Sequence, residues 1–289
     1  MTGPAEDRAL GALLGLAVGD ALGMATETLT RAEVVDRFGD LVDRPHAARG
    51  LPAGSVTDDT EQALLLGRLL VAGHGRVDPG GWARALLGRE RDLAARGRAD
   101  LLGPSTRRAL DAVLAGVPPE QAGASGDTNG AAMRIAPAGI AFPPGSGLVD
   151  TVLGVSRVTH GTGAALAGAV AVAVAVSAGV AGASVAQALR AAGEAAGFPL
   201  LGKAIATGER WRGVPPPRLV DQVLASFGAG LPAAEAVPAA FAVAAACVDD
   251  PWLAVRVAAS LGDDSDTVAA MVGAVTGACH GTRPWPADV

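Results

Sequence analysis

The segment VTDDTEQALLL at 56–66 sets Asp58 and Asp59 side by side between Thr57 and Thr60, immediately before an apolar run. Far along the chain, GDDSDTVAAMVGAVTGA at 262–278 repeats the arrangement. Asp263, Asp264 and Asp266 precede Thr267 and a glycine-containing apolar stretch. Acids at a helix start have an ordinary use, because their oxygens cap free N–H groups and the helix dipole favours negative charge there. Two such starts permit a second use. If they meet in the core, four or five carboxylates converge, their repulsion raises their pKa values, and a divalent cation relieves it. Carboxylate and hydroxyl oxygens are hard ligands, which selects Mg²⁺, Mn²⁺ or Ca²⁺. Cys247, Cys279 and the four histidines show no zinc-ligand spacing. So many acids can hold two ions, a geometry that binds substrate oxygens and generates hydroxide from water.

These groups need elements to carry them. In RALGALLGLAVGDALG at 8–23, Gly11, Gly15, Gly19 and Gly23 recur every four residues and share one side of a helix. Glycine weakens an isolated helix by about 1 kcal/mol relative to alanine, so the stripe implies another backbone packed directly against it. Ala269, Gly273 and Gly277 repeat the spacing near the end of the chain, and both helices are expected in the middle of the molecule. Further helical patterns run at about 32–38, 59–72, 81–95, 105–115, 130–140, 148–158, 162–179, 184–196, 200–207, 218–226, 233–248 and 251–260. Breakers such as FPPGSG and RGVPPPR separate some of them. No sustained alternation of period two points to strands. The expectation is a single all-α domain over 1–289, with short flexible termini at about 1–6 and 282–289. Its longer loops, about 40–57, 116–129 and 208–217, should approach a common face.

The bulk composition sets the limits. Half of the 289 residues are hydrophobic, yet aromatics are 3 % and tyrosine is absent, so the core is built from small side chains that suit closely packed helices. The net charge of −6 and the absence of a dense basic run argue against nucleic-acid binding. Residues 164–180, AALAGAVAVAVAVSAGV, are uncharged and close to a membrane span in length. Their Ala, Val and Gly content and the lack of a flanking basic cluster instead suggest a buried core helix. Two cysteines without C-x-x-C spacing and an N-terminus without a signal-peptide pattern suggest a cytoplasmic protein with reduced thiols.

Taken in order, G-x-x-x-G-x-x-x-GDALG at 11–23, Glu27, TDDT at 57–60, NGAAMR at 129–134, TH at 159–160 and GDDSDT at 262–267 resemble the ADP-ribosylglycohydrolases. That family includes the dinitrogenase reductase-activating glycohydrolase. The match spans residues 11–281. It implies an all-α domain with a central dinuclear cleft holding two Mg²⁺ or Mn²⁺ ions. The activity implied is hydrolysis, by metal-activated water, of the bond between ADP-ribose and an acceptor such as an arginine side chain. Thr57, Asp58 and Asp59 correspond to the first ligand group, and Asp264, Asp266 and Thr267 to the second. Glu27 falls where members carry an acid that reaches the metals or the water, so Glu27, Asp58 and Asp59 are the candidate catalytic residues. Asn129 and Gly130 correspond to the loop near ribose and phosphates and His160 to a position beside the nucleotide; with Asp127 and Met133 they form the candidate substrate-binding set. The expected partner is ADP-ribose, or an ADP-ribosylated protein or small molecule.

The pattern also departs from the family. Asp263 stands where a second glycine is frequent, and Ser265 replaces a common threonine. No tyrosine can stack on adenine, and Phe142 is the aromatic closest in sequence to the substrate loop. A dinuclear-metal hydrolase of a small ribosyl or nucleoside metabolite is therefore an alternative, and a non-catalytic ADP-ribose-binding or structural protein a further one. Several residues keep two readings: Asp20 can tie down a neighbouring loop, Asp127 can cap the following helix, His160 can be a core histidine, and Arg134 can pair with buried carboxylates or with phosphate.

Overall fold

The computed structural model describes residues 3–95 and 102–286, and among them it contains sixteen helices and no strand. The first five are α1 (Pro4–Gly23), α2 (Arg31–Phe38), α3 (Asp58–Ala72), α4 (Pro79–Ala95) and α5 (Pro104–Leu114). Two single turns, α6 (Pro119–Ala122) and α7 (Gly130–Met133), precede α8 (Ala136–Ala141), α9 (Ser146–Arg157) and α10 (Gly163–Val180). The last six are α11 (Val185–Ala196), α12 (Pro199–Arg210), α13 (Pro216–Phe227), α14 (Ala233–Ala246), α15 (Pro251–Ala259) and α16 (Ser265–His280).

The two glycine-striped helices are each other's partner. A Cβ built on Gly15 would overlap the Gly273 carbonyl, one on Gly19 the Ala269 carbonyl, and one on Gly23 the Asp266 backbone. α1 and α16 therefore run antiparallel with main chain against main chain, which only glycine permits. The end of α1 is held beside the start of α16 by Thr26, whose hydroxyl lies 2.8 Å from the Gly23 carbonyl oxygen, 2.6 Å from that of Ala259 and 2.9 Å from Ser265 Oγ. Ser265 is thus a staple between the two helices. A sharp turn precedes α16: Gly262 takes φ +80° where a Cβ would strike the Leu29 carbonyl, and Asp263 takes φ +51°.

α10 crosses the interior among α8, α9, α11, α14 and α16. Among the described residues it is the helix long and apolar enough to span a membrane, and its segment 168–179 is buried inside the fold, as a core helix should be. The pattern at 130–140 was expected to be one helix, but the structure breaks it at Arg134 and Ile135. Pro137, at the second position of α8, has no N–H to continue the ladder from α7 and disfavours helical geometry before it. Within the expected loop 116–129, Pro118 and Pro119 start the single turn α6. Residues 4–6, expected in a flexible terminus, open α1. At the other end, Thr282 donates to Asp7 at 2.7 Å and Trp285 packs near Gly15 and Gly277.

Of the three loops expected on one face, two arrive there. The segment 40–57 brings Arg49 and Thr57, and 116–129 brings Thr128 and Asn129. The third does not: Trp211–Val214 lie against Ala246–Leu253 in a separate depression. α12 continues to Arg210, which carries that loop away. The segment between α13 and α14 takes its place, with Leu231 in the cleft wall. It is tied to 127–129 by bonds from the Asn129 N–H to the Leu231 carbonyl and from the Ala233 N–H to the Asp127 carbonyl, both 2.9 Å.

Candidate active site

The cleft encloses about 210 Å³. Its acids come from three distant stretches of chain. Glu27 follows α1, Asp58 and Asp59 open α3, and Asp264 and Asp266 flank the first turn of α16. Glu27, Asp264 and Asp266 each place a carboxylate oxygen within 4.8 Å of the others. Glu27 is also paired with Arg49 from the loop before α3. Asp263 is exposed and lies outside that group.

The start of α3 is set from outside. Asp20, fully buried in α1, accepts from the Thr57 N–H at 3.0 Å through both oxygens, and from the Thr60 N–H at 3.1 Å and the Thr60 hydroxyl at 2.5 Å. It therefore caps the helix that carries Asp58 and Asp59, which settles its role as a tie to the neighbouring segment. Asp59 Oδ2 accepts from the Thr57 and Thr267 hydroxyls, each at 3.3 Å, so the two threonines hold one carboxylate from both helix starts. Its other oxygen, Oδ1, is buried with no hydrogen-bond partner. Asp264 accepts from the Asn129 side-chain amide, which locks the NGAAMR turn onto the acidic cluster.

Electrostatics follow from this crowding. Burial, and then the charges of Asp20, Glu27 and Asp264, hold Asp58 well above the ordinary carboxylate range. For Asp59 the causes are burial, then Asp20, Asp58 and Asp264; for Asp266 they are burial, then Glu27, Asp264 and Asp59. Asp264 is pushed up to about 6 by burial, against the opposing hydrogen bond from Asn129, and Asp20 to about 6 by burial against its four hydrogen bonds. These are carboxylates short of positive charge. An all-oxygen donor set, a buried carboxylate oxygen without a partner and mutual repulsion together fit a hard divalent cation.

A buried polar chain backs the cleft. Gln62 donates to Asp58 Oδ2 at 2.8 Å, and its carbonyl accepts from Arg134 Nη1 at 2.6 Å. Arg134 Nη2 donates to the Thr159 hydroxyl, which lies 2.7 Å from His160 Nδ1, while His160 Nε2 lies 2.9 Å from Thr128 Oγ1. The Arg134 guanidinium sits 5.2 Å from the Trp82 ring centroid, and burial lowers its pKa to about 10, which leaves it charged at neutral pH. It thus reaches a carboxylate through Gln62. Burial, then Arg134 and Arg108, hold His160 well below the ordinary histidine value, so it is neutral.

Thr57, Asp58, Asp59, Asp264, Asp266, Thr267, Glu27, Asn129, Gly130 and Met133 all line this one cleft. Three other expected residues stand elsewhere. His160 is fully buried behind the wall and meets the cleft through Thr128. Gly130 must lack a side chain for this, since a Cβ there would lie 2.8 Å from His160 Cε1. Asp127 points to solvent, 3.9 Å from Arg108, and makes no cap to α7. Phe142 packs by Gly75 in an apolar groove between α3 and α8, because the break at Arg134 redirects the chain. Thr128, Arg49, Thr106 and Leu231 also face the cleft and were not singled out from the sequence. Only Thr128, one residue before the NGAAMR motif, had a signal that could have found it.

The whole chain, residues 1–289, matches the model of a family described as ADP-ribosylglycohydrolase. An uncharacterized protein, YegU, of Escherichia coli (strain K12) is 34 % identical over 96 % of this chain and 89 % of its own length. The ADP-ribosyl-[dinitrogen reductase] glycohydrolase of Rhodospirillum rubrum is 39 % identical over 55 % of this chain and 54 % of its own. The ADP-ribosylarginine hydrolase Tri1 of Pseudomonas putida (strain GB-1) is 37 % identical over 47 % and 36 %. A solved structure, an ADP-ribosylglycohydrolase-related protein complex, superposes with a TM-score of 0.71 at 30 % identity, covering 98 % of this chain and 91 % of that one.

Proposed function

The chain belongs to the ADP-ribosylglycohydrolase family, whose members are hydrolases, and from that premise we propose that it cleaves the glycosidic bond between ADP-ribose and an arginine side chain with the help of two Mg²⁺ or Mn²⁺ ions. One observation carries the reading: Glu27, Asp58, Asp59, Asp264 and Asp266, drawn from three separate segments, converge in a cleft walled by Asn129 and Gly130. Thr57, Asp58, Asp59, Asp264, Asp266 and Thr267 would hold the ions. Bound there, the ions would supply Lewis-acid charge and acidify water in the cleft. The chain's own groups do the rest. Asn129, fixed by Asp264, and Gly130 border the substrate. Glu27, which stands beside Asp264 and Asp266 and is not among the residues assigned to the ions, would accept the proton of the attacking water, with Arg49 as its neighbouring cation. The acidic surroundings stabilise the oxocarbenium character that develops at the anomeric carbon, and they also suit a cationic guanidinium leaving group.

The test is release of free ADP-ribose from ADP-ribosyl-arginine with Mg²⁺ or Mn²⁺ present and then removed by EDTA. Metal-dependent release is expected; release unaffected by EDTA would sink the metal assignment. A second reading, hydrolysis of a smaller ribosyl metabolite, draws on two features. The cleft's 210 Å³ lies below the usual few hundred Å³ of a drug-sized pocket, and none of its described lining residues is aromatic. Thermal stabilisation by Mg²⁺ that free ADP-ribose does not increase would favour it.

A further inference from the structure

Among the described residues, His160 is the one histidine whose two ring nitrogens both face threonine hydroxyls, and the donors around it can be counted. Thr159 is fully buried. Its oxygen already accepts from Arg134 Nη2, and among the described residues the remaining hydrogen-bond partner for its own hydrogen is His160 Nδ1 at 2.7 Å. If Nδ1 carried the proton, the hydrogen of the fully buried Thr159 hydroxyl would be stranded without an acceptor, which burial penalises. A doubly protonated ring would strand it as well. Nδ1 is therefore the acceptor, and the single ring proton sits on Nε2, 2.9 Å from Thr128 Oγ1. Thr128 Oγ1 accepts the hydrogen bond from that N–H, which leaves its own hydroxyl hydrogen uncommitted. Thr128 is half-buried and lines the cleft beside Asn129.

We infer that Thr128 is a substrate-contacting residue whose hydroxyl proton is aimed into the cleft by the Arg134–Thr159–His160 relay, as a donor to an acceptor oxygen of the ligand. Phosphate oxygens are the strongest acceptors that ADP-ribose offers, because they are charged and carry no proton of their own. The choice of ligand rests on the function proposed above; the direction of the hydrogen bonds does not. His160 then serves as a positioning residue, acting through Thr128 without touching the ligand. The relay starts at Gln62, which also holds Asp58, so the acidic side and the Thr128 side of the cleft share one set of buried bonds.

Two measurements decide the matter. In the first, free ADP-ribose is titrated in the presence of Mg²⁺ into the wild-type protein, T128V and T128S. T128V keeps the shape and removes the donor, so binding is expected to weaken about tenfold; T128S should restore it to within about threefold of wild type. Stabilisation of T128V by Mg²⁺ alone should equal that of wild type, which shows that the fold and the acids are intact. Wild-type affinity in T128V would overturn the inference. In the second, nitrogen NMR of histidine-labelled protein is expected to show the His160 proton on Nε2 and a bare Nδ1. A proton on Nδ1 would overturn the inference even if ADP-ribose binds. If wild type binds no ADP-ribose with Mg²⁺ present, the proposed function fails by itself, and the tautomer still decides where the Thr128 proton points.

Discussion

Asp266 joins Glu27 and Asp264 in the tight carboxylate group, and burial, with the charges of Glu27, Asp264, Asp59 and Asp20, raises its pKa. Asp266→Asn removes one charge from a set that repels itself. Hydrolysis is expected to fall roughly 100-fold or more, because a group proposed as a direct ligand matters at least as much as an outer-shell partner. In EDTA at neutral pH the same variant should be more stable than wild type, since a raised carboxylate pKa is free energy lost by the ionised form. Activity and chemical denaturation measured on one preparation check both outcomes. A variant that is inactive and also less stable in EDTA would mean that Asp266 is a structural carboxylate. Thr57, Asp58, Asp59 and Thr267 were legible in the sequence because acid–threonine pairs at two helix starts are a local pattern. His160 was legible as a residue and not as a placement, because its burial depends on Gly130, Thr128 and Thr159 meeting in space.

At the scale of elements, the site depends on the α1–α16 pairing, which sets Glu27 against Asp264 and Asp266. Gly273→Ala would drive a methyl into the Gly15 carbonyl, and a backbone cannot give way as a side-chain tip can. A loss of about 3 kcal/mol is expected, at the upper end for overpacking, together with weaker stabilisation by Mg²⁺. Gly154→Ala is the control. Gly154 lies within α9 with nothing near its Cβ position, so the change should stabilise by about 0.5–1 kcal/mol. Thermal denaturation of the two variants side by side tests the register. The glycine stripe announced this backbone contact from its spacing alone. The break at Arg134 was harder to see, since the apolar pattern runs through it and a single residue, Pro137, interrupts it. The mistaken 208–217 loop has a similar origin: the face that a loop reaches is set by where its helices end, and α12 runs three residues past the expected boundary.

For the molecule as a whole, the raised carboxylates fix the sign of the pH dependence. Asp264 and Asp20 have ordinary values of 3.8 and titrate at about 6 in the fold, and Asp58, Asp59 and Asp266 are also raised. The native state without metal thus holds more protons than the unfolded chain between about pH 4 and pH 6 and beyond. Its stability is fully present below about pH 4 with respect to these groups, and it is lost as pH rises through about 6. His160, held neutral, works in the opposite sense and lowers stability below its unfolded pKa of about 6.5. With five acids against one imidazole, melting in EDTA is expected to drop from pH 5 to pH 8, and Mg²⁺ should recover most of the loss at pH 8. A melting temperature in EDTA that rises across that range would contradict the crowding seen in the cleft.

The pairing of the first and last helices also bears on how the chain is made. Ser265 Oγ bonds the Gly23 carbonyl across 242 positions of sequence, so α1 leaves the ribosome long before α16 exists. At ordinary translation rates that interval is roughly 12–50 s. Throughout it, the glycine stripe has no backbone to face and Glu27 lacks Asp264 and Asp266, the acids of its tight group. The nascent chain must wait as a partly assembled helical array, and only the final helix closes it. A chain stopped before residue 265 would lack Asp266 and Thr267 as well as the backbone that faces the glycine stripe, so the candidate site and the packing of α1 would be lost together.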